Sequence, residues 1–477
     1  MSHLLRWIPP RLSLLVAVAL TGANAHAADV PAPDMPAANV PASQEATTVE
    51  QGTPALSPDG GGDRWKMRID GFVELDGMHD STQSFLEASA NLPVMPRGTY
   101  AGDNGRTQVT AKNSRIGLTV AAPRYHSIET TGHISFDFFG LQPTDATEND
   151  FNIVGTMRLR KAYLLLRTPV VDVLAGQYPT LFGWGEAGFY PGTVAFLGTV
   201  GQVYHRDIQL RLSKTVGKTF GVEIAAAAVR PAQRDAEVPD IEGGIRLFYQ
   251  GWRGRAVQGN DRPGLVPLSL GVSGLWRHFA VKEYLELPRA AKKATGWGVA
   301  INALLPIIPA RNDDDFSNRL TLTAEFSMGT GVADRYSALT GGGEFPALAN
   351  PKGLVIPPLF IPNVDNGLVT YDADERLRTI DWRGLVIGAQ YYLPIPFVRV
   401  WVTALYARVE SRNLKELTPL TNQGGIFTKA EYKDASLFVG VTPSVQVGVS
   451  YQITDQQRGN GTSPQNTRVH VATNLFF

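Results

Sequence analysis

The sequence predicts an all-β protein, a transmembrane antiparallel β-barrel of about sixteen strands, and three observations lead to this fold class. From Trp65 onward the chain repeats segments in which apolar and polar side chains alternate, the period-two pattern of strands. Breaks rich in Gly, Pro, Asn and Asp separate the segments, and long breaks tend to alternate with short ones. The chain ends on RVHVATNLFF, residues 468–477, which is one more alternating segment. Such a series is typical of barrels that cross a membrane with strands.

Residues 1–27 have the three parts of a secretory signal peptide. Two arginines precede a short apolar run at 12–20, and Ala25 and Ala27 form an A-x-A exit site. The run is too short to span a bilayer, so we expect cleavage near Ala28; a short buried helix is the other interpretation. Residues 28–63 are rich in Pro, Ala and small polar residues and predict a disordered, flexible periplasmic arm. The barrel domain then occupies residues 64–477.

Composition excludes several classes of protein. Without the two arginines of the leader the chain has 42 basic and 44 acidic residues, and this balance argues against a nucleic-acid binder. The absence of cysteine excludes disulfides, thiolate metal sites and cysteine nucleophiles. An exported chain without helical spans belongs to the periplasm, the exterior or an outer membrane.

We count sixteen strand segments. They begin near residues 65, 107, 127, 153, 170, 202, 219, 241, 266, 295, 317, 376, 397, 434, 444 and 466. An outer-membrane barrel explains the alternating breaks, because its outer loops are long, its periplasmic turns are short and both termini are periplasmic. The last strand then pairs with the first, since a bilayer offers no water to a free sheet edge. The predicted location is the outer membrane of a Gram-negative bacterium, in contact with its lipid.

Period two also divides each strand into a lipid face and a lumen face. Arginine outnumbers lysine 32 to 12, and guanidinium groups suit the bidentate binding of carboxylates. Because the inward acids are fewer by this division, we expect an anion-preferring lumen. The alternative is that the arginines pair with acids of the wall and loops as scaffolding. The predicted pore-lining, solute-contacting residues are Arg115, Arg158, Arg160, Arg211, Arg246, Arg277, Arg319, Arg399 and Arg468.

The third long break, residues 179–201, is unusually apolar for a loop in water. We expect it to fold into the barrel and narrow the lumen; lid packing or a subunit contact is the alternative. The predicted constriction residues are Phe182, Trp184, Glu186, Phe189 and Tyr190.

No motif indicates catalysis, a metal or a cofactor. The acidic run NDDD at 312–315 lies in a predicted periplasmic turn without a defined ligand spacing. The glycines of TGGGEF at 340–345 lack the Lys-Ser/Thr that a phosphate loop needs, and no G-x-S-x-G occurs. We therefore expect no enzyme activity, no cofactor and no bound metal.

Several stretches resemble one known family, the DcaP-like trimeric outer-membrane porins, which are dicarboxylate-type porins. The stretches are NSRIGLTV (113–120), ISFDFFG (134–140), RLRKAYLLL (158–166), VLAGQYPTLF (173–182) and VYHRDIQLRLS (203–213). Their order and spacing agree over about residues 65–215. The resemblance implies a sixteen-stranded homotrimeric barrel with pore-wall arginines at 115, 158, 160 and 211. Separately, a terminal Phe after an alternating strand resembles the end of bacterial outer-membrane barrels in general, which implies that Phe477 is the assembly signal read by the barrel-assembly machinery.

The expected function is that of an outer-membrane porin for passive, anion-preferring diffusion of small solutes such as (di)carboxylates. One alternative is an adhesin or receptor that acts through long extracellular loops, above all the break at 330–375. A barrel hydrolase is another alternative, but it would need Ser, His and an acid or amide together on the lipid face.

Overall fold

The structure is a computed structural model, and the residues that it describes belong to one compact unit. They run from 64 to 477 with gaps at 86, 88–92, 141–154, 186–188, 190–191, 195–198, 234–235, 257–263, 284–287, 338, 340–363, 365–366, 373, 375 and 419–422. The predicted signal peptide and arm lie outside the described residues. No helix in the described part of the chain is long and apolar enough to cross a membrane.

The described residues contain nineteen strands and two short α-helices, numbered here in chain order. The strands are β1 (Lys66–Asp80), β2 (Arg106–Thr110), β3 (Arg115–Ala121), β4 (Glu129–Asp137), β5 (Arg158–Arg167), β6 (Asp172–Pro179), β7 (Arg206–Val216), β8 (Phe220–Val229), β9 (Asp240–Ala256), β10 (Gly264–Lys282), β11 (Ala291–Ile308), β12 (Arg319–Thr330), β13 (Val369–Tyr371), β14 (Leu377–Thr379), β15 (Asp381–Tyr392), β16 (Arg399–Ser411), β17 (Phe427–Gly440), β18 (Val445–Arg458) and β19 (Gln465–Phe476). The helices are α1 (Tyr100–Asp103) and α2 (Leu414–Leu417).

Seventeen of these strands form one antiparallel sheet that closes on itself, because β19 pairs with β1. Strands β2 and β3 both pair with β1 and are two halves of one interrupted barrel strand. The barrel therefore has sixteen strands, as the sequence predicts. Strands β13 and β14 form a separate hairpin. The predicted start near 434 is late, since β17 begins at Phe427 with charged outer residues that hide its alternation.

The two faces of the wall follow the alternation of the sequence. On β12 the side chains of Leu322 and Phe326 are exposed, while those of Thr323, Glu325 and Ser327 are buried. An apolar face toward lipid and a polar face toward the interior is the pattern of a membrane barrel. We call the face with the buried residues the inner face.

The two ends of the barrel differ in their connections. Both ends of the closed sheet, the start of β1 and the end of β19, lie at the end with short turns at residues 122–128, 168–171, 217–219, 393–398 and 441–444. We call this the turn end. The long connections lie at the other end, the loop end, which is the outer side in barrels of this kind.

The seam between β1 and β19 is closed both by backbone hydrogen bonds and by side-chain ion pairs. The backbone N–H of Gly71 donates to the carbonyl of Phe477 at 3.2 Å, and the N–H of Phe477 returns the bond at 3.1 Å. On the inner face Arg468 donates to the two carboxylate oxygens of Asp80 at 2.9 and 2.8 Å. The terminal alternating segment therefore completes the sheet.

One glycine provides a direct test of the wall. Gly176 on β6 has a φ of +130°, and a Cβ there would lie 2.2 Å from the carbonyl oxygen of Ala162. We expect Gly176→Ala to lower the yield of the refolded, heat-modifiable barrel strongly, since both strain and a backbone clash oppose it. Gly132→Ala on β4 is the matched control, because a Cβ there meets no atom within 4 Å. Equal yields for the two variants would contradict this geometry.

Candidate solute pathway

The buried charges of the protein are of both signs. Among the described residues, eleven acidic side chains and eight lysine or arginine side chains are buried. The acids are Glu74, Asp76, Asp80, Glu87, Asp137, Glu223, Asp240, Glu242, Glu325, Asp334 and Asp434, and the bases are Lys112, Arg160, Arg246, Arg255, Arg277, Arg335, Arg458 and Arg468. The expectation that acids are the minority is therefore wrong for this buried set. An anion preference cannot come from a simple excess of buried arginine.

Two predicted arginines at the loop end share one carboxylate. The guanidinium of Arg158 donates to Asp137 at 2.9 and 2.6 Å, and that of Arg160 donates to the same carboxylate at 2.5 Å. Arg160 and Asp137 are buried, whereas the Arg158 side chain is 37% exposed. Of this group, Arg158 is the member that water reaches.

Three further predicted arginines are also held by acids. Arg246 pairs with Glu223 at 2.6 Å, and Arg468 pairs with Asp80 across the seam. Arg277 is completely buried and contacts both Asp240 and Asp334. These three arginines therefore fit the scaffolding alternative, in which arginines pair with acids of the wall and loops.

Asp334 lies outside the barrel strands, in a 3-10 turn after β12. Burial alone would raise the pKa of its carboxyl, but the guanidinium groups of Arg277 and Arg335 outweigh this effect and hold the pKa well below its usual range. The carboxylate therefore stays ionised at neutral pH, and the ion pairs around it persist.

The remaining predicted arginines have mixed surroundings. Arg319 pairs with Asp315 at 2.7 Å in the turn before β12. Arg211 donates to the carbonyl of Pro179, Arg399 donates to the carbonyl of Thr442, and Arg115 lies over the ring of Phe72. The nine residues thus lie along the wall at several heights and do not converge on one site.

A group of aromatic and basic residues lies at the turn end, and the sequence analysis missed part of it. Arg255 lies 3.5 Å from the centre of the Phe316 ring, and Arg399 lies 5.0 Å from the same ring. Arg255 donates to main-chain carbonyls of the 312–315 turn, including that of Asp315 at 3.0 Å. No carboxylate of the described residues lies within ion-pairing distance of Arg255 or Arg399. We call Arg255, Phe316 and Arg399 the turn-end cluster.

Arg255 was missed for an identifiable reason. The pairing of β9 with β10 shifts register between Pro267 and Leu268, so that residues of β9 beyond Tyr249 no longer follow the parity of the strand. Residues 250–252 have no partner on β10, and this odd number of extra residues turns the following side chains to the other face. The glycine and aromatic residues of QGWRG at 250–254 are the one sequence signal for it.

The described residues of the segment 179–201 are buried against the wall. The backbone N–H of Phe182 donates to Glu242 at 2.9 Å, and that of Gly183 donates to Ser273 at 2.8 Å. The indole N–H of Trp184 donates to the carbonyl of Val272 at 3.2 Å. Phe189 packs in the same apolar cluster as Trp184. The predicted residues Glu186 and Tyr190 lie outside the described residues.

A long outer loop was expected after β12, and most of the described residues of this connection are buried, although Asp374 and Arg376 are exposed. Val332, Tyr336 and Leu368 belong to one apolar cluster with the inner-face residues Leu405 and Val409. Apolar side chains on both faces of β16, as in VRVWVTALYARVE, are the sequence signal for this second layer. The stretch IPPLFIPNVDNG at 356–367, which the adhesin or receptor alternative would use as its binding surface, lies almost entirely outside the described residues.

Metal binding finds no support in the described part of the chain. No three His, Asp or Glu side chains there are grouped closely enough to hold an ion. The carbonyl oxygens of the NDDD turn accept hydrogen bonds from Arg255 instead.

A closed antiparallel sheet with an apolar outer face, a polar inner face and long loops at one end defines the outer-membrane, porin-type β-barrel. Known proteins agree at the level of the fold. No family model and no curated protein matches the sequence. The outer membrane channel DcaP of Acinetobacter baumannii matches with a TM-score of 0.61 and 18% identity, over 87% of this chain and 100% of that chain.

Two other porins match less well. The anion-selective porin from Comamonas acidovorans has 9% identity and a TM-score of 0.46, over 87% of this chain and 100% of that one. OprB of Pseudomonas putida has 12% identity and a TM-score of 0.46, over 86% and 94%. These two likenesses are too weak to support an inference. The predicted resemblance to DcaP-like porins is confirmed in the fold.

Proposed function

We propose that this chain is an outer-membrane porin for passive, anion-preferring diffusion of small solutes, with carboxylates as the first class to test. The closed barrel with its polar inner face supports a channel. Transport of this kind needs no bond making or breaking, only weak sites in series that a solute can enter and leave.

The turn-end cluster is the observation that carries the anion preference. Arg246, Arg277 and Arg468 are each paired with their own acids and contribute little net field, whereas Arg158 and Arg160 share the one carboxylate of Asp137. Arg255 and Arg399 instead lie on one aromatic ring without a described carboxylate at ion-pairing distance. Guanidinium groups without a carboxylate in direct contact leave part of their positive field for anions, although Asp313 and Asp315 reduce the field of Arg255. Arg158 adds a partly exposed guanidinium at the opposite end.

We propose that the segment 179–201 folds inward and is the constriction of the channel. The contacts of Phe182, Gly183 and Trp184 with β9 and β10 support this role, because they fasten the segment to the inner face. Glu186 and Tyr190 are proposed as members of the same constriction.

Two further properties are proposed, the first on the resemblance over residues 65–215 and the second on the likeness of the last strand to the ends of outer-membrane barrels. The barrel is a homotrimer, and Phe477 is the signal that the barrel-assembly machinery reads. The chain acts without a cofactor and is not an enzyme.

The reversal potential across a potassium chloride gradient tests the anion preference. We expect the refolded protein in a planar bilayer to be anion-selective, and Arg399→Gln to shift the potential toward cation selectivity, because it removes a positive charge beside the pathway. Arg311→Gln is the matched control, since it removes the same charge from an exposed side chain of a neighbouring turn. A cation-selective wild type, or equal shifts for both variants, would reject this mechanism.

A further inference from the structure

A second segment of the chain lies beside the proposed constriction. Residues 331–337 follow β12 and contain the 3-10 turn Ala333–Arg335. The side chains of Ala333, Arg335 and Tyr336 have no exposed surface. A connection that only crossed the rim of a barrel would leave such residues in water. This segment is built into the interior.

The segment is joined to residues 199–204 by backbone hydrogen bonds. The N–H of Gly201 donates to the carbonyl of Ser337 at 3.1 Å, and the N–H of Ser337 donates to the carbonyl of Gln202 at 2.9 Å. The N–H of Tyr204 donates to the carbonyl of Arg335 at 3.0 Å. Val203 and Tyr336 face each other as an antiparallel bridge between these bonds. The two segments therefore form one two-stranded unit, the inner joint.

Charged residues fasten the inner joint to the wall. Arg277 on β10 donates to Asp334 at 2.5 Å and to the carbonyl of Gly331 at 2.9 Å, and it also donates to Asp240 on β9. Arg335 reaches Asp240 at 3.0 Å. On the side of β12, Glu325 accepts a bond from the N–H of Val203 at 2.7 Å. Strands β9 and β10, together with β12, after which the segment begins, thus hold the joint in place.

The hydrogen bonds of Arg277 show whether this residue can contact a solute or only holds the inner joint in position. A guanidinium has five N–H donors. In Arg277 the Nε donates to Asp240, one terminal nitrogen donates to Gly331 and Asp334, and the other donates to Asp240 and Asp334. No donor is left for a passing solute. Arg277 is a positioning residue of the joint.

We propose that residues 331–337 are a second size-selecting element, and that the inner joint, held by Arg277, Asp334 and Arg335, sets the width of the lumen together with the segment 179–201. This inference rests on the proposed porin function. Its consequence is that the channel admits small, compact solutes, because two chain segments and their apolar residues share the interior with the pathway.

The test uses neutral sugars of increasing size, because their permeation is independent of anion preference. Liposome swelling is measured with the full chain and with Asp334→Ala combined with Arg335→Ala, which keeps the Arg277–Asp240 pair. We expect a several-fold faster entry of disaccharides in the double variant and an unchanged rate for a pentose. Heat-modifiable migration confirms that the variant is folded.

A reversible crosslink makes the test specific. The chain has no cysteine, so Val203→Cys and Tyr336→Cys introduce a single pair at facing positions that a disulfide can span. In the double variant, oxidation of this pair is expected to restore the wild-type size limit and reduction to release it. A folded double variant with the wild-type limit overturns the inference, and so does an altered limit that oxidation leaves unchanged. Absence of anion selectivity in the wild type would reject the anion preference alone and leave the porin function and this inference standing.

Discussion

Replacement of Arg277 by alanine is expected to destabilise the barrel by about 3–5 kcal/mol, the usual cost of breaking a buried ion pair by removing one partner. Among the described residues, the buried carboxylates of Asp240 and Asp334 then face only one other guanidinium, that of Arg335. Equilibrium unfolding in urea, with refolding into lipid vesicles, measures the free energy. Wider conductance steps should accompany the loss, because the inner joint is released.

Arg68→Ala is the matched control for this prediction. Arg68 also pairs with an acid, Asp70 at 3.2 Å, but both side chains are substantially exposed. Exposed pairs contribute about 0–1 kcal/mol, so the control should unfold like the wild type. Combining Arg277→Ala with Asp240→Asn and Asp334→Asn should recover part of the loss, since no buried charge is then left unpaired. An Arg277→Ala loss as small as that of the control would mean that the pair is hydrated.

Trp382→Ala is expected to cost about 3–5 kcal/mol, the range for removing a large aromatic side chain from a packed core. Trp382 is buried on the inner face of β15, and its indole N–H donates to the carbonyl of Gly367 at 3.2 Å. It packs in the same cluster as Leu368 and Leu405, so its removal separates the long connection from the wall. The same urea measurement gives the free energy of unfolding.

Trp297→Ala is the control for Trp382→Ala, because its side chain is 43% exposed on the outer face of β11. The Trp297→Ala variant loses contact with lipid but opens no cavity, so we expect a smaller loss in the free energy of unfolding. Comparable losses for the two tryptophans would show that the inner cluster is not tightly packed. A loss in the free energy of unfolding that is smaller for Trp382→Ala than for Trp297→Ala would mean that outer-face contacts with lipid stabilise the barrel more than the inner cluster does.

The barrel itself could be predicted from the sequence because the period of two is a local property. In the segment RLTLTAEFSMG the apolar Leu322 and Phe326 alternate with the polar Thr323 and Glu325, and in the structure the first two are exposed and the last two are buried. The closure of the sheet followed from the final segment. Strand starts were placed within a few residues except where charged residues on the outer face hid the pattern, as at Phe427.

The ion pairs of the interior could not be predicted in the same way. Arg277 and Asp334 are 57 positions apart, and their contact depends on how a long connection returns to the barrel. Parity gives the face of a side chain but not its partner, so the sequence left open whether each arginine was free or paired. The bulge before Arg255 broke the parity itself. The roles predicted for Glu186 and Tyr190, which lie outside the described residues, stay predictions.

The seam between β1 and β19 has a consequence for how the barrel is made. Its inner pairs join residues almost four hundred positions apart, such as Asp80 with Arg468 and Glu74 with Asn474. A slip of one residue would turn Arg468 toward lipid, and a slip of two would set it opposite Met78. Each wrong closure leaves a charge without a partner in a medium of low polarity. The charged pairs of the seam thus favour the correct register of β1 and β19 over the shifted ones. Substitutions there should lower the fraction of chains that fold with the correct register more than they shorten the lifetime of the correctly folded barrel.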